Sequence, residues 1–121
     1  MKRRRLAASL AVFSLYVSCT SIPNVALAAS ALGDLSGLKA IVTDVQAIAA
    51  TGDLAKASQR ITDFETAWDN DEPALKPMDK KAWHHVDDAA DAALKALRAK
   101  KPDGSEVTST LMALAAAIDN P

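Results

Sequence analysis

The chain has few of the residues that cross-link a small protein or build a redox centre. Its 121 residues include one cysteine, four glycines, two tryptophans, two phenylalanines and one tyrosine. The lone cysteine excludes an intrachain disulfide, so stability must come from packing. Also missing are a haem-attachment Cys-x-x-Cys-His, a phosphate-binding loop and the Glu-x-x-His pair of di-iron bundles. No serine has a recognisable His–Asp partnership. These absences predict that the protein is not an enzyme.

A hydrophobic run long enough for a stable membrane span is missing as well. The apolar stretch from Leu6 to Val17 follows a basic segment, Lys2 to Arg5, and Ala26-Leu27-Ala28 matches a signal-peptidase site. We predict a Sec-type signal peptide over residues 1–28, cleavage after Ala28, and a soluble periplasmic or secreted protein. In the alternative interpretation, Leu15 to Cys19 acts as a lipobox and anchors the protein through Cys19. The paired arginines hint at twin-arginine export.

Carboxylates outnumber cations once the signal is removed. Four of the 14 Lys and Arg residues lie in the signal, which leaves ten of them against all 15 Asp and Glu residues. The formal net charge of residues 29–121 is therefore −5, whereas the whole chain has −1. An anionic surface argues against nucleic acid and anionic membranes as partners. It is compatible with cations or basic proteins.

Four segments of the mature chain have apolar residues at three-and-four spacing, and none alternates as a strand would. The predicted helices span residues 34–51, 53–70, 79–101 and 104–119. Short connections favour antiparallel neighbours. The sequence therefore predicts an all-α domain over residues 34–121, an up-down-up-down four-helix bundle, preceded by a flexible tail at residues 29–33.

Helix-capping and helix-breaking residues set these boundaries. Gly52 stands where a left-handed C-cap belongs, and Pro73 is expected to end the second helix at or before Glu72. Pro102 is expected to stop the third helix. The predicted N-caps of helices two, three and four are aspartates: Asp53, Asp79 and Asp103.

A first candidate site is a group of acids near the C-terminus of the second helix: Glu65, Asp69, Asp71 and Glu72. Negative charges near a helix C-terminus interact unfavourably with the helix dipole. Residues placed against such a local preference can mark a functional site. Converging carboxylates suit a hard divalent cation. The alternative is ordinary ion pairing with Lys76, Lys80 and Lys81 across the hairpin.

A second candidate site is a stripe on one face of the third helix: His84, Asp87, Asp88 and Asp91. Imidazole nitrogen beside carboxylate oxygen suits zinc, copper or nickel better than calcium. The alternative is a solvated helix face on which Asp91 pairs with Lys95.

The pair Trp68 and Trp83 is a third candidate, because two indoles can wall a pocket at one end of the bundle. Both tryptophans, however, fall on the apolar stripes of their helices. That spacing favours core packing over a ligand pocket.

The stretch Thr62-Asp63-Phe64-Glu65-Thr66-Ala67-Trp68-Asp69, continued by Asp71 to Pro77 and by Ala82-Trp83-His84, resembles a group of small exported bacterial helical-bundle proteins. Most members of that group have no assigned function, and some carry a histidine-kinase label. A kinase needs an α/β nucleotide-binding domain, which 93 helical residues cannot contain. The resemblance thus implies at most the helical sensor part of such a system.

Together these observations predict an exported helical-bundle binding protein for a divalent metal cation, held by acidic and histidine side chains. The alternative is an envelope interaction or sensory accessory protein, associated with a histidine kinase, that has a protein partner and no small ligand.

Overall fold

The computed structural model describes residues 30–121, which form four helices and no strand. Helix α1 covers Ser36–Ala50, α2 covers Leu54–Leu75, α3 covers Lys80–Leu97 and α4 covers Gly104–Asp119. Each helix packs against its neighbours in the chain, and α1 also packs against α4, so the helices enclose one core. None of these four helices is long and apolar enough to cross a membrane. The predicted all-α class is confirmed for the described residues. The predicted signal peptide lies outside them.

Helix α1 begins and ends through local hydrogen bonds. The carboxylate of Asp34 accepts the backbone N–H of Ser36 at 2.9 Å, and this bond lowers the pKa of Asp34. At the other end Gly52 has φ +85°, and its N–H donates to the carbonyl of Ala49 at 3.0 Å. Glycine adopts this left-handed conformation without a steric penalty. The predicted C-cap is confirmed.

The three predicted aspartate N-caps are also confirmed. Each side chain accepts a backbone N–H from the first turn of its helix, which satisfies a donor that has no partner inside the helix. The pairs are Asp53 with Lys56 at 3.0 Å, Asp79 with Ala82 at 3.0 Å, and Asp103 with Ser105 at 2.8 Å.

The expected ends of two helices were wrong. Helix α2 continues through Pro73 to Leu75. Pro73 lies in the last turn, so its missing N–H deprives only the carbonyl of Asp69 of a helical partner. The N–H of Lys76 still donates to Glu72 at 3.0 Å and completes the turn. Helix α3 ends at Leu97, and residues 98–101 form turns and bends before Pro102.

The residues just before α1 belong to the folded domain. The N–H of Gly33, which has φ +75°, donates to the carbonyl of Ser30 at 2.9 Å. This turn places Leu32 and Leu35 in the core, with only 1% and 6% of their surfaces exposed. The predicted tail spans residues 29–33, and within it residues 30–33 form a turn that buries Leu32.

Aromatic side chains fill the core near the α2–α3 connection. The rings of Phe64 and Trp68 lie 6.2 Å apart at 12°, and those of Trp68 and Trp83 lie 5.5 Å apart at 10°. Both tryptophans are buried, at 2% and 5% exposure. Burial and ring stacking therefore confirm core packing for this pair.

Candidate cation-binding groove

A narrow groove runs between α2 and α3, which are the least closely packed of the neighbouring helices. Its volume is about 110 Å³. It is lined by two acids and two apolar residues from each helix: Phe64, Glu65, Trp68, Asp69, Asp87, Ala90, Asp91 and Leu94.

Helical spacing explains why acids from both helices meet here. Glu65 and Asp69 are four residues apart, as are Asp87 and Asp91, so each pair occupies one row of its helix. The adjoining rows are apolar and face the core. Carboxylates therefore line both walls, and an aromatic and aliphatic floor lies below them.

Two of the four carboxylates have partners within the protein. The indole N–H of Trp68 donates to Asp87 at 2.9 Å. The guanidinium of Arg98, just beyond α3, donates to the two oxygens of Glu65 at 2.9 and 3.4 Å. Bonds to a charged group are stronger than neutral ones, so both carboxylates are held in place.

The other two carboxylates, Asp69 and Asp91, form no hydrogen bond or ion pair within residues 30–121. Partial burial raises the pKa of Asp91, and the negative charges of Asp87, Asp88 and the two α2 acids raise it further. A raised carboxyl pKa means that the site disfavours its own negative charge. A bound cation would relieve this repulsion.

The first predicted acidic cluster is divided in the structure. Glu65 and Asp69 line the groove, whereas Asp71 is exposed and Glu72 accepts a hydrogen bond from Lys76 at 3.0 Å. The ammonium of Lys76 also lies 4.6 Å from the centre of the Trp83 ring, within cation–π range. Lys80 and Lys81 form none of the ion pairs found in residues 30–121.

The second predicted set is divided in the same way. Asp87 and Asp91 line the groove, while His84 and Asp88 are exposed and lie outside it. The ring of His84 meets the Trp83 ring edge-on, with centroids 5.2 Å apart. The expected pair between Asp91 and Lys95 does not form.

The described residues also lack the geometry of a chelated metal site. In the part of the chain that the structure describes, no three His, Cys, Asp or Glu side chains are grouped so that they could hold a metal ion. The two predicted sets thus do not form two chelating clusters. Half of each set contributes to one groove.

Sequence reasoning missed two participants, Phe64 in the floor and Arg98 at the rim. The sequence did carry one signal for the groove, the i, i+4 spacing of the acids. This spacing places the acids in a row along one side of each helix rather than in a cluster around one point. Which rows face each other depends on how α2 and α3 are rotated, and no local pattern reports that rotation.

Comparison with protein-family models, curated proteins and solved structures finds no match to this chain. Four carboxylates over an apolar floor can attract a small cation and shield its apolar part from water.

Proposed function

We propose that the protein is an exported helical-bundle binding protein and that the α2–α3 groove binds a cation. The observation that carries this proposal is the pair of unpartnered carboxylates, Asp69 and Asp91, on opposite walls of one groove. Both are accessible, and the repulsion felt by Asp91 is of the kind that a cation removes.

The groove suits the head group of an organic cation or basic side chain better than a chelated metal. A tightly held metal needs three or more converging protein ligands. An ammonium or guanidinium group needs only nearby charge and an apolar surface to lie on. The volume of about 110 Å³ is well below that of ordinary ligand pockets, which hold whole molecules.

Arg98 shows within the protein itself how a guanidinium group binds a carboxylate of this groove. Its guanidinium binds Glu65 through two nitrogens at the rim of the same groove. A basic side chain of an envelope partner would find comparable carboxylates one helical turn along, at Asp69 and Asp91. This arrangement links cation binding to the alternative expectation of a protein partner.

Export and the up-down-up-down topology are parts of the same proposal. The signal-like residues 1–28 support export. Two observations support antiparallel neighbours. Lys39 near the start of α1 binds Asp119 at the end of α4. Glu65 of α2 pairs with Arg98, whereas the later residue Trp68 pairs with the earlier residue Asp87.

Thermal unfolding at low salt tests the proposal. The protein recovered after export from an expressing host is heated with N-acetylarginine amide, calcium or zinc at matched ionic strength. We expect the arginine amide to raise the unfolding midpoint and to alter tryptophan fluorescence, because Trp68 lies in the groove floor. The double variant Asp69→Asn/Asp91→Asn should lose both responses.

The matched control is Asp71→Asn/Glu106→Gln, which removes the same charge from exposed acids outside the groove and should respond like wild type. A midpoint shift with zinc or calcium alone would replace the organic cation with a metal. No shift with any millimolar cation would refute cation binding, since a ligand in large excess over its Kd must stabilise the folded state.

A further inference from the structure

Charge is distributed very unevenly over the four helices. Helix α2 carries seven charged residues and α3 carries six. By contrast, α1 carries only Lys39 and Asp44, and α4 only Glu106 and Asp119. Because α1 and α4 pack side by side, one flank of the bundle is nearly free of charge.

Most of the few charges on this flank are neutralised. Lys39 binds Asp119, and Asp44 binds Arg60 of α2 at 2.9 Å. Only Glu106, in the first turn of α4, has no ion-pair partner within residues 30–121. The outer surface of α1 and α4, the blank face, therefore carries few charges, and only one of them lacks an ion-pair partner among the described residues.

An exposed methionine and a hollow lie next to each other on this blank face. Met112 points outward from the middle of α4 with 62% of its surface exposed. Between α1 and α4 lies a hollow of about 100 Å³, and Met112 itself forms one of its walls together with Gln46, Ala49, Ala50, Thr108 and Leu111. The face thus carries both a projecting apolar side chain and a recess that can receive one.

We propose that this face binds a second copy of the same chain, with Met112 of each copy inserted into the hollow of the other. A two-fold interface needs a surface that is complementary to itself, and an adjacent projection and recess meet that need. The formal charge of −5 on residues 29–121 makes two copies repel wherever their acidic surfaces meet. The blank face is where they can approach.

The chemistry of the face argues against a lipid surface as its occupant. Its exposed residues near Met112 are small or polar, including Ser105, Ser109 and Ala116. Membrane-binding helices instead present several large apolar side chains with flanking cations. One methionine among alanines and serines fits a small protein interface.

The surface area that this interface could bury predicts a weak dimer. Helix α4 has 16 residues and is about 24 Å long. Two helices about 10 Å wide give roughly 500 Å² per copy, or about 1,000 Å² in all, at the lower limit for specific interfaces. The α2–α3 groove lies on the opposite side of the bundle and remains open in this dimer.

Sedimentation equilibrium of the exported protein, from micromolar to millimolar concentration, tests the proposal. We expect the mass to rise from one copy to two. Met112→Lys places a charge at the centre of the face and should keep the protein monomeric. Met78→Lys is the matched control, because Met78 is 56% exposed but lies at the α2–α3 connection, and this variant should dimerise like wild type.

Salt provides a second readout. Added salt screens the repulsion between two acidic copies, so this dimer should become tighter. A dimer that salt weakens would indicate pairing through the charged α2 and α3 surfaces and would overturn the proposal. So would a single-copy mass at millimolar concentration, or equal effects of the two lysine variants. If Met112→Lys lowers the thermal midpoint, Ser109→Lys on the same face replaces it.

Discussion

Two buried tryptophans that stack on each other differ in the hydrogen bonding of their indole N–H groups, and this difference predicts that the same substitution changes stability by different amounts. The indole N–H of Trp68 donates to the carboxylate of Asp87 at 2.9 Å. The indole N–H of Trp83 is buried and has no partner within residues 30–121. Replacing either residue with phenylalanine removes a similar amount of ring but a different polar group.

The magnitude follows from the two hydrogen-bonding states. Trp68→Phe loses a hydrogen bond to a charged group, worth about 1.5–3 kcal/mol, whereas Trp83→Phe removes an unsatisfied buried donor that costs about 1–3 kcal/mol. Ring loss largely cancels in the comparison, and water can solvate half-buried Asp87. We therefore expect Trp68→Phe to be less stable than Trp83→Phe by about 2 kcal/mol or more. For a domain of this size that corresponds to about 8 °C or more in Tm.

Urea unfolding followed by circular dichroism measures the difference, provided that the m-values agree. A double-mutant cycle with Asp87→Ala supplies the control: coupling of about 1–2 kcal/mol is expected with Trp68 and almost none with Trp83. If Trp83→Phe proves as destabilising as Trp68→Phe, the assignment of the hydrogen bond is wrong.

Two further substitutions test the groove and a helix end. Asp91→Asn should raise the free energy of unfolding at neutral pH by about 0.4–1 kcal/mol, because it removes like-charge repulsion at i, i+3 and i, i+4 spacing. The pKa of Asp91 is raised above 3.8 in the folded state, so ionisation of its carboxyl destabilises the fold as pH rises through the raised pKa. The stability gained by Asp91→Asn should therefore vanish near pH 3, where Asp91 is protonated in both the folded and the unfolded protein. Thermal melts from acid to neutral pH measure this, and a pH-independent difference contradicts it. Asp79→Ala should cost about 1 kcal/mol by removing the α3 N-cap, whereas Asp79→Ser should retain most of the stability in the same urea assay.

The helices were predictable because their signals are local. Apolar spacing identifies each buried face, and Asp53, Asp79 and Asp103 act on backbone groups within the next turn. Pro73 misled the prediction since its effect depends on position: inside a helix it breaks the hydrogen-bond ladder, but in the last turn it removes a single bond. The burial of Leu32 depends on contacts with distant residues, which the short segment before α1 does not reveal.

The groove was only half predictable for a related reason. The sequence identifies Glu65, Asp69, Asp87 and Asp91 as acids on helical surfaces, and both pairs were part of predicted sites. It does not report that the two rows face each other, or that Arg98 and Trp68 reach them. These facts depend on the rotation of whole helices about their axes, which is set by the packing of large side chains such as Phe64.

The contacts of the bundle also differ greatly in how much chain they enclose. The bond from Trp68 to Asp87 joins residues 19 apart, whereas the bond from Lys39 to Asp119 joins residues 80 apart. Closing the longer loop costs about 1.3 kcal/mol more in chain entropy, from the logarithm of the ratio of loop lengths. Bringing α2 and α3 together is therefore the less costly step, and docking α1 on α4 is the costlier closure. With a single cysteine the chain cannot form an intrachain disulfide across that outer seam, so packing and the Lys39–Asp119 pair must offset this larger entropy cost.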